Sequence, residues 1–252
     1  YYPSEVSWVQ DEKGRSKEPL RDYVCIEDNS SVIRQSQDQQ DRLPHSPPLV
    51  ASCNLWLSGI KVIDLTNVIA GPTIGMMLAS AGAEVIKVDP TTPSYAPNVT
   101  VQYGIITNRG KDSILLDLRS KEGYKVFEKL LKQSDIIIVN ATDPGMKRLR
   151  VDAKSISQIN PRAILVHFDA YGGPKGHCGT QRVAYDDNLQ ASLGIMARFG
   201  GGMERVEEHA HVGMIDVIAG IAGAVSAVAG LYERLSKERL SKERLSKERL
   251  SK

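Results

Sequence analysis

Residues Leu57–Asp89 read LSGIKVIDLTNVIAGPTIGMMLASAGAEVIKVD. Ile60, Val62, Ile63 and Leu65 form a short apolar run rich in β-branched residues, the composition of a strand buried in a parallel sheet. The run stops at Thr66 and Asn67. Ala70-Gly71-Pro72 then supplies a turn in which the proline takes the first helical position, where its missing N–H costs nothing, and a small apolar helix is predicted over Thr73–Ala81. Gly82 ends it, and Glu84–Asp89 returns as a second strand. The unit is βαβ, with a helix N-terminus facing the carboxyl edge of the sheet, where phosphate-bearing ligands commonly sit. An ordinary α/β core unit and a nucleotide-binding unit both fit this pattern. The common dinucleotide fingerprint is absent, because Gly71 and Gly75 are four apart and no G-x-G-x-x-G occurs.

Downstream the alternation continues. Pro90–Val101 is a Pro/Thr/Ser loop and Ser113–Leu118 a third strand. Lys121–Lys132 is predicted helical, with Val126, Phe127, Leu130 and Leu131 on one face and Lys125, Glu128, Lys129 and Lys132 on the other. Asp135–Val139 is an uninterrupted apolar strand, Ser155–Ile159 a short helix and Ala163–Phe168 a further strand. Strands alternating with helices give an α/β protein with a doubly wound parallel sheet. Beyond it, Tyr171–Gln181 reads as a mobile loop, Tyr185–Leu193 as a helix, and Gly200-Gly201-Gly202 opens a second loop that ends before a long helix at Asp216.

The flanks differ in character. Residues 1–56 are rich in Ser, Gln, Asp, Arg and Pro and are read as a disordered linker or the remnant of an upstream region. From Glu233 the chain repeats Glu-Arg-Leu-Ser-Lys. A period of five turns a helix by about 500°, so Leu235, Leu240, Leu245 and Leu250 spiral around the axis and form no seam. Pairs such as Glu238 with Lys242 support a solvated single helix, each contributing about 0.2–0.5 kcal/mol. The reading is therefore a linker at 1–56, a domain at 57–234 and a repeat tail at 235–252.

With 41% hydrophobic residues the chain can bury a substantial core, and a formal charge of +2 gives no electrostatic case for nucleic acid. Cys25, Cys53 and Cys178 are an odd number without metal-ligand spacing, which points to a reducing, intracellular compartment and to no metal site. No uninterrupted apolar run of about 18 residues argues for a membrane span. Ile215–Leu231 comes closest, and its Ala and Gly content reads as a tightly packed interior helix.

Leu57-Ser58-Gly59-Ile60-Lys61-Val62-Ile63-Asp64-Leu65-Thr66, Ala70-Gly71-Pro72, Gly82-Ala83-Glu84-Val85-Ile86-Lys87-Val88 and Asn108-Arg109-Gly110-Lys111 resemble the family III CoA-transferases. Asp117-Leu118-Arg119-Ser120, Glu122-Gly123, Ser134-Asp135-Ile136, Pro144-Gly145, Asn160-Pro161-Arg162 and Tyr171-Gly172 extend the likeness in the same order. The resemblance covers about Leu57 to Arg234. It implies a Rossmann-like large domain and an enzyme that moves CoA between an acyl-CoA and a carboxylic acid. It also implies a homodimer when full length. Family members are longer, and their second half supplies a small domain and a glycine-rich loop, so the likeness is to the N-terminal half and implies truncation. The tail repeat has no counterpart in the family.

The family's acyl acceptor is an aspartate at the start of the long helix that closes this half. Asp216, in Gly213-Met214-Ile215-Asp216, matches it, with Arg234 matching a basic residue that ends that helix. A carboxylate suits the task, since it can accept an acyl group, then CoA, then release it. A helix N-terminus is expected to favour its ionised form. From position alone, Asp216 is equally a helix cap. For CoA the resemblance implies Val68 and Ile69 at the first turn, Leu116 and Arg119 after the third strand, Asn140 after the fourth, Arg148 beyond Pro144-Gly145, and Tyr185 lining the site. Pro90 and Ala141 depart from the family's common arginine and phenylalanine. Tyr185, in Ala184-Tyr185-Asp186-Asp187-Asn188, stands where the family's racemases carry a histidine base, which favours transfer over α-proton exchange. A racemase-like isomerase and a CoA-binding protein without turnover are the competing readings.

Overall fold

The computed structural model describes residues 24–28, 55–92, 103–171, 183–209 and 213–250. The loop read from Tyr171 to Gln181 lies, beyond its first residue, outside them, as do Cys53 and Cys178. In chain order the elements are β1 (Val24–Asp28), β2 (Lys61–Asp64), α1 (Ala70–Ser80), β3 (Glu84–Asp89), β4 (Asp112–Leu115), α2 (Lys121–Gln133) and β5 (Ile136–Val139). Then follow α3 (Asp143–Leu149), α4 (Ala153–Ile159), β6 (Ile164–Phe168), α5 (Asp186–Ser192), α6 (Ile195–Phe199) and α7 (Met214–Leu250).

The sheet order is β1-β6-β5-β2-β3-β4. Strands β2 to β6 are all parallel, and β1 pairs antiparallel with β6 at the edge. The α/β, doubly wound reading is correct. β1 is the exception to the linker reading. Its Val24-Cys25-Ile26 core is a short β-competent run inside polar surroundings, and pairing with β6, far away in sequence, decides its conformation.

Alternation along the strands fills two layers. Val62, Ile136, Ile138, Ile164 and Val166 pack under α1 and α7 with Ile74, Leu78, Ala224, Ala227 and Leu231. Ile63, Ile137, Val139 and Leu165 face the other way, against Tyr124, Phe127, Leu131, Met146 and Ile156 of α2, α3 and α4. β5, with all four residues buried, lies between β2 and β6 and has no solvent face, which is why its sequence is uniformly apolar.

Several local expectations are corrected. α1 begins at Ala70 rather than Thr73, so Pro72 is the third helical residue, still among the first N–H positions that have no intrahelical acceptor. On α2, Tyr124 is buried in place of Val126, which is exposed; the Tyr124 hydroxyl donates to the Arg150 carbonyl while its ring stays in the core. α3 and α6 are absent from the sequence reading, because Pro144-Gly145 inside the one and Gly194 and Gly200 at the ends of the other carry the punctuation of loops.

α7 is not the interior helix expected. Gly220 and Gly223 sit against Thr73 and Ile74 so closely that a Cβ at either would collide, and this small-residue face is what packs on α1. Its other face is exposed, with Ile218, Ile221, Val225, Val228, Tyr232 and Leu235 at spacings of three and four. Its apolar part is long enough to cross a bilayer by length and composition, with mean hydropathy 2.0 over a window that is 28% buried in the fold. Nor does Arg234 end the helix, which continues to Leu250. Arg234 is buried, reaching Asp135 Oδ1 at 2.7 Å and the Arg162 carbonyl at 2.9 Å, so it fastens α7 to the amino ends of β5 and β6.

Candidate active site

In the sheet order, the chain leaves β2 toward β3 on one side and later reaches β5 on the other, so β2 and β5 are the switch point of the fold. A crevice opens outside the carboxyl ends of such strands. Here it is a cleft of about 160 Å³, walled by Asn67–Ala70 after β2 and Asn140–Thr142 after β5, together with Asp169, Tyr185 and Asp216. That volume takes the reacting end of a ligand, with the remainder lying across the sheet edge.

The β2–α1 turn is held from beneath by buried charge. Asp64 is fully buried and accepts from the Thr66 backbone N–H at 2.9 Å and from the Thr66 hydroxyl. Its other oxygen meets Lys111 Nζ at 2.7 Å. Lys111 spends its remaining donors on the Pro72 carbonyl at 2.7 Å and Asn108 Oδ1 at 2.9 Å, so all three ammonium protons are satisfied. Burial pushes the Lys111 amine below the ordinary lysine range, and the Asp64 charge opposes that. Lys87 Nζ donates to the Thr66 carbonyl and to Asp89, each at 2.6 Å. Gly71 and Gly75 are explained by this cluster rather than by phosphate: a Cβ on Gly71 would strike Thr66, and one on Gly75 would lie 2.5 Å from Asp64 Oδ2.

At the top of the turn Val68 has φ of 69°. A β-branched residue in the left-handed region costs on the order of 1–2 kcal/mol and persists only where its surroundings enforce it. Asn140 does so across the switch point, accepting from the Asn67 N–H at 3.3 Å and donating to the Asn67 carbonyl at 3.1 Å. The strain places Val68 and the start of α1 on the cleft wall.

The opposite wall belongs to α5 and α7. Asp216 is the third residue of α7, in its first turn. Its backbone N–H donates to Asp186 Oδ2 at 2.9 Å. Burial, and then the charges of Asp186 and Asp187, raise the Asp216 carboxyl to about 6. The expected pull of the helix N-terminus toward ionisation is outweighed, because desolvation and two like charges act on the same group. Asp186, itself buried, accepts from Gln190 Nε2 on its other oxygen, and Gln190 Oε1 accepts from the His209 N–H at 3.0 Å.

Of the residues expected at the site, Val68, Ile69, Asn140, Tyr185 and Asp216 line one cleft. Leu116, Arg119 and Arg148 do not. Leu116 is buried just beyond β4, and Arg119 is exposed with its Nε 3.0 Å from Asp117 Oδ1. Arg148 is exposed in the last turn of α3. Sequence reading missed Asp64, Lys111 and Asp186. An aspartate inside the apolar run of β2 was the available signal, since a charge there demands a partner. Among the described residues no group of His, Cys, Asp and Glu could hold a metal ion.

The model of CoA-transferase family III matches residues 57–241. CoA-transferase/lyase DddD of Marinomonas sp. (strain MWYL1) is 45% identical over 184 residues, 73% of this chain and 22% of that protein. Succinate–glutarate CoA-transferase of Agrobacterium fabrum is 34% identical over 188 residues, covering 68% of this chain and 46% of that one. Among solved structures, a CAIB/BAIF family protein from Brucella suis superposes with a TM-score of 0.66 at 29% identity, over 74% of this chain and 51% of that one. The chain thus spans about half the length of the latter two and less than a quarter of the first.

Proposed function

Because the chain belongs to CoA-transferase family III, we propose that it takes part in moving coenzyme A from an acyl-CoA to a carboxylic acid, with Asp216 as the acyl acceptor. The observation that carries this reading is the position of Asp216: a half-buried carboxylate on the wall of the switch-point cleft, with a proton affinity raised to about 6. Such a carboxylate is ionised at neutral pH and more basic than an ordinary aspartate, both of which favour attack on a thioester.

The chemistry runs in four displacements. The Asp216 carboxylate attacks the thioester carbonyl, the C–S bond breaks, and a mixed anhydride and CoA thiolate result. The thiolate then attacks the aspartyl carbonyl, releasing the first acid as its carboxylate and leaving an aspartyl-CoA thioester. The incoming carboxylate attacks that carbonyl and expels the thiolate again. Finally the thiolate attacks the incoming acid's carbonyl, yielding the new acyl-CoA and restoring Asp216. No net proton, oxidant or metal is required by this balance. Val68, Ile69, Asn140 and Tyr185 are the residues we assign to the thioester end, and Leu116, Arg119 and Arg148 to the rest of CoA along the same sheet edge.

Pairing with a second copy belongs to the same proposal for the full-length protein. The uncovered apolar stripe of α7 supports it, and light scattering of that protein checks it. The central test is trapping. Incubation with acyl-CoA and borohydride or hydroxylamine should modify Asp216 in the parent and nothing in Asp216→Asn. In deuterated buffer, 2-methylacyl-CoA should gain no α-deuterium, since Tyr185 replaces the racemase histidine. Transfer by Asp216→Asn at a rate near the parent's would reduce Asp216 to a structural residue, and rapid α-exchange would favour the isomerase reading.

A further inference from the structure

We infer that Asp186 is a positioning residue for Asp216, fixing the first turn of α7 against α5 so that the Asp216 carboxylate is presented to the cleft. The inference rests on the reading of Asp216 as acyl acceptor. Its geometry does not depend on that reading.

Three segments meet at Asp186. Its Oδ2 takes the Asp216 N–H at 2.9 Å. That N–H is in the first turn of α7, where the helix itself offers no acceptor. Its Oδ1 takes the Gln190 side-chain amide, one turn along α5. Gln190, fully buried, passes the connection to the His209 N–H at 3.0 Å, in the loop that begins at Gly200. The relay therefore ties the nucleophile's backbone, α5 and the glycine loop at His209 into one unit.

The relay also explains why the residue is an aspartate. Gln190 Oε1 is committed to a backbone N–H, so its NH₂ must face Asp186 and needs an acceptor there. The second N–H, from Asp216, needs another. A carboxylate accepts on both sides, whereas an asparagine would set its NH₂ against that of Gln190 or against the Asp216 backbone N–H. Burying such a charge beside another carboxylate is costly, and two hydrogen bonds to the charge offset that cost. Among the described residues, the titratable groups around the cleft at this point are Asp186 and Asp187 on α5, Tyr185 before it, and Asp169 on the β6 side. Asp186 acts on Asp216 through both the hydrogen bond and the charge.

Amide hydrogen exchange of the full chain tests the contact directly. In the parent, the Asp216 amide should exchange at least about tenfold more slowly than an unstructured amide. In Asp186→Ala it should lose that protection while the amides from Ile221 onward keep theirs. In Asp186→Asn the carboxyl midpoint of Asp216, followed by ¹³C NMR, should fall by about one pH unit as the like charge disappears; Asp187→Asn should move it less. An unprotected Asp216 amide in the parent overturns the inference even if no variant folds. An unchanged amide in Asp186→Ala, or an unchanged midpoint in Asp186→Asn, overturns it as well. With acyl-CoA, Asp186→Ala should acylate at least about tenfold more slowly at a KM within about threefold of the parent's. A parent that is never acylated removes the proposed function, and the exchange result still decides the role of Asp186.

Discussion

At the residue scale, the site turns on what burial does to one carboxylate. Asp216 protonates at about 6 because it is desolvated and faces Asp186 and Asp187. An acid whose folded midpoint is raised above its unfolded value of about 3.9 adds stability below that value and loses it as pH rises through the folded midpoint. Ionised Asp216 therefore costs stability above about pH 6. Asp216→Asn should be more stable than the parent at pH 8, by roughly 1–3 kcal/mol after allowance for partial exposure, and equal to it at pH 4. Urea unfolding at the two pH values checks this. A variant that is less stable at pH 8 would mean that the carboxylate serves the fold. Acylation by the parent should fall away below about pH 6 for the same reason, as the nucleophile is protonated.

At the element scale, the β2–α1 turn depends on a cluster that the sequence shows only as separate charges. The side chains of Asp64, Lys111 and Lys87 are buried under the turn, where Lys87 donates to the Thr66 carbonyl, Lys111 donates to the Pro72 carbonyl and Asp64 accepts from Lys111. Removing one partner leaves the other charge uncompensated, at a cost of about 3–5 kcal/mol. Lys111→Met should destabilise by that amount, and Asp64→Asn combined with it should recover part of the loss. Chemical denaturation of the single and double variants measures both. A loss below about 1 kcal/mol in Lys111→Met would show that the pair is dispensable. The same argument separates Asn140 from the arginines. Asn140 clamps Asn67 whether or not a ligand is present, so Asn140→Ala should weaken the turn as well as binding.

At the scale of the whole molecule, α7 links the two edges of the sheet. Asp216 stands at the carboxyl edge and Arg234 at the amino edge, about 27 Å apart along the helix at 1.5 Å per residue. Strands β2 to β6 are parallel, so every loop that follows one of these five leaves at the Asp216 edge. This places Leu116 and Arg119 beyond β4, and α3 beyond β5, on the side where a long ligand would extend from the cleft. Both guanidinium groups are exposed, and Arg119 is shared with Asp117, whose carboxyl it holds below the usual range. If they receive phosphate, Arg119→Ala with Arg148→Ala should weaken CoA binding at least about tenfold and leave the thermal midpoint unchanged. Calorimetry gives the answer; a loss under about twofold would remove both from the binding assignment.

Periodicity and punctuation alone carried the fold class. The β-branched runs of β2, β3, β5 and β6, the glycine at 82 and the amphipathic pattern of α2 are local signals, and local signals survive in a one-dimensional reading. The family likeness in the same residues carried Asp216, Asn140, Val68, Ile69 and Tyr185, which the cleft brings together. Tertiary structure decided the rest. Lys111 is 47 positions from Asp64, and Asp186 is 30 from Asp216, so neither contact leaves a trace in spacing. Val24–Asp28 becomes a strand because β6 offers an unpaired edge, not because its own composition demands one. The long helix shows a packed side and an uncovered side only once Gly220 and Gly223 meet α1. A proton affinity is decided last, because burial and neighbouring charge are properties of a place in space rather than of a residue type.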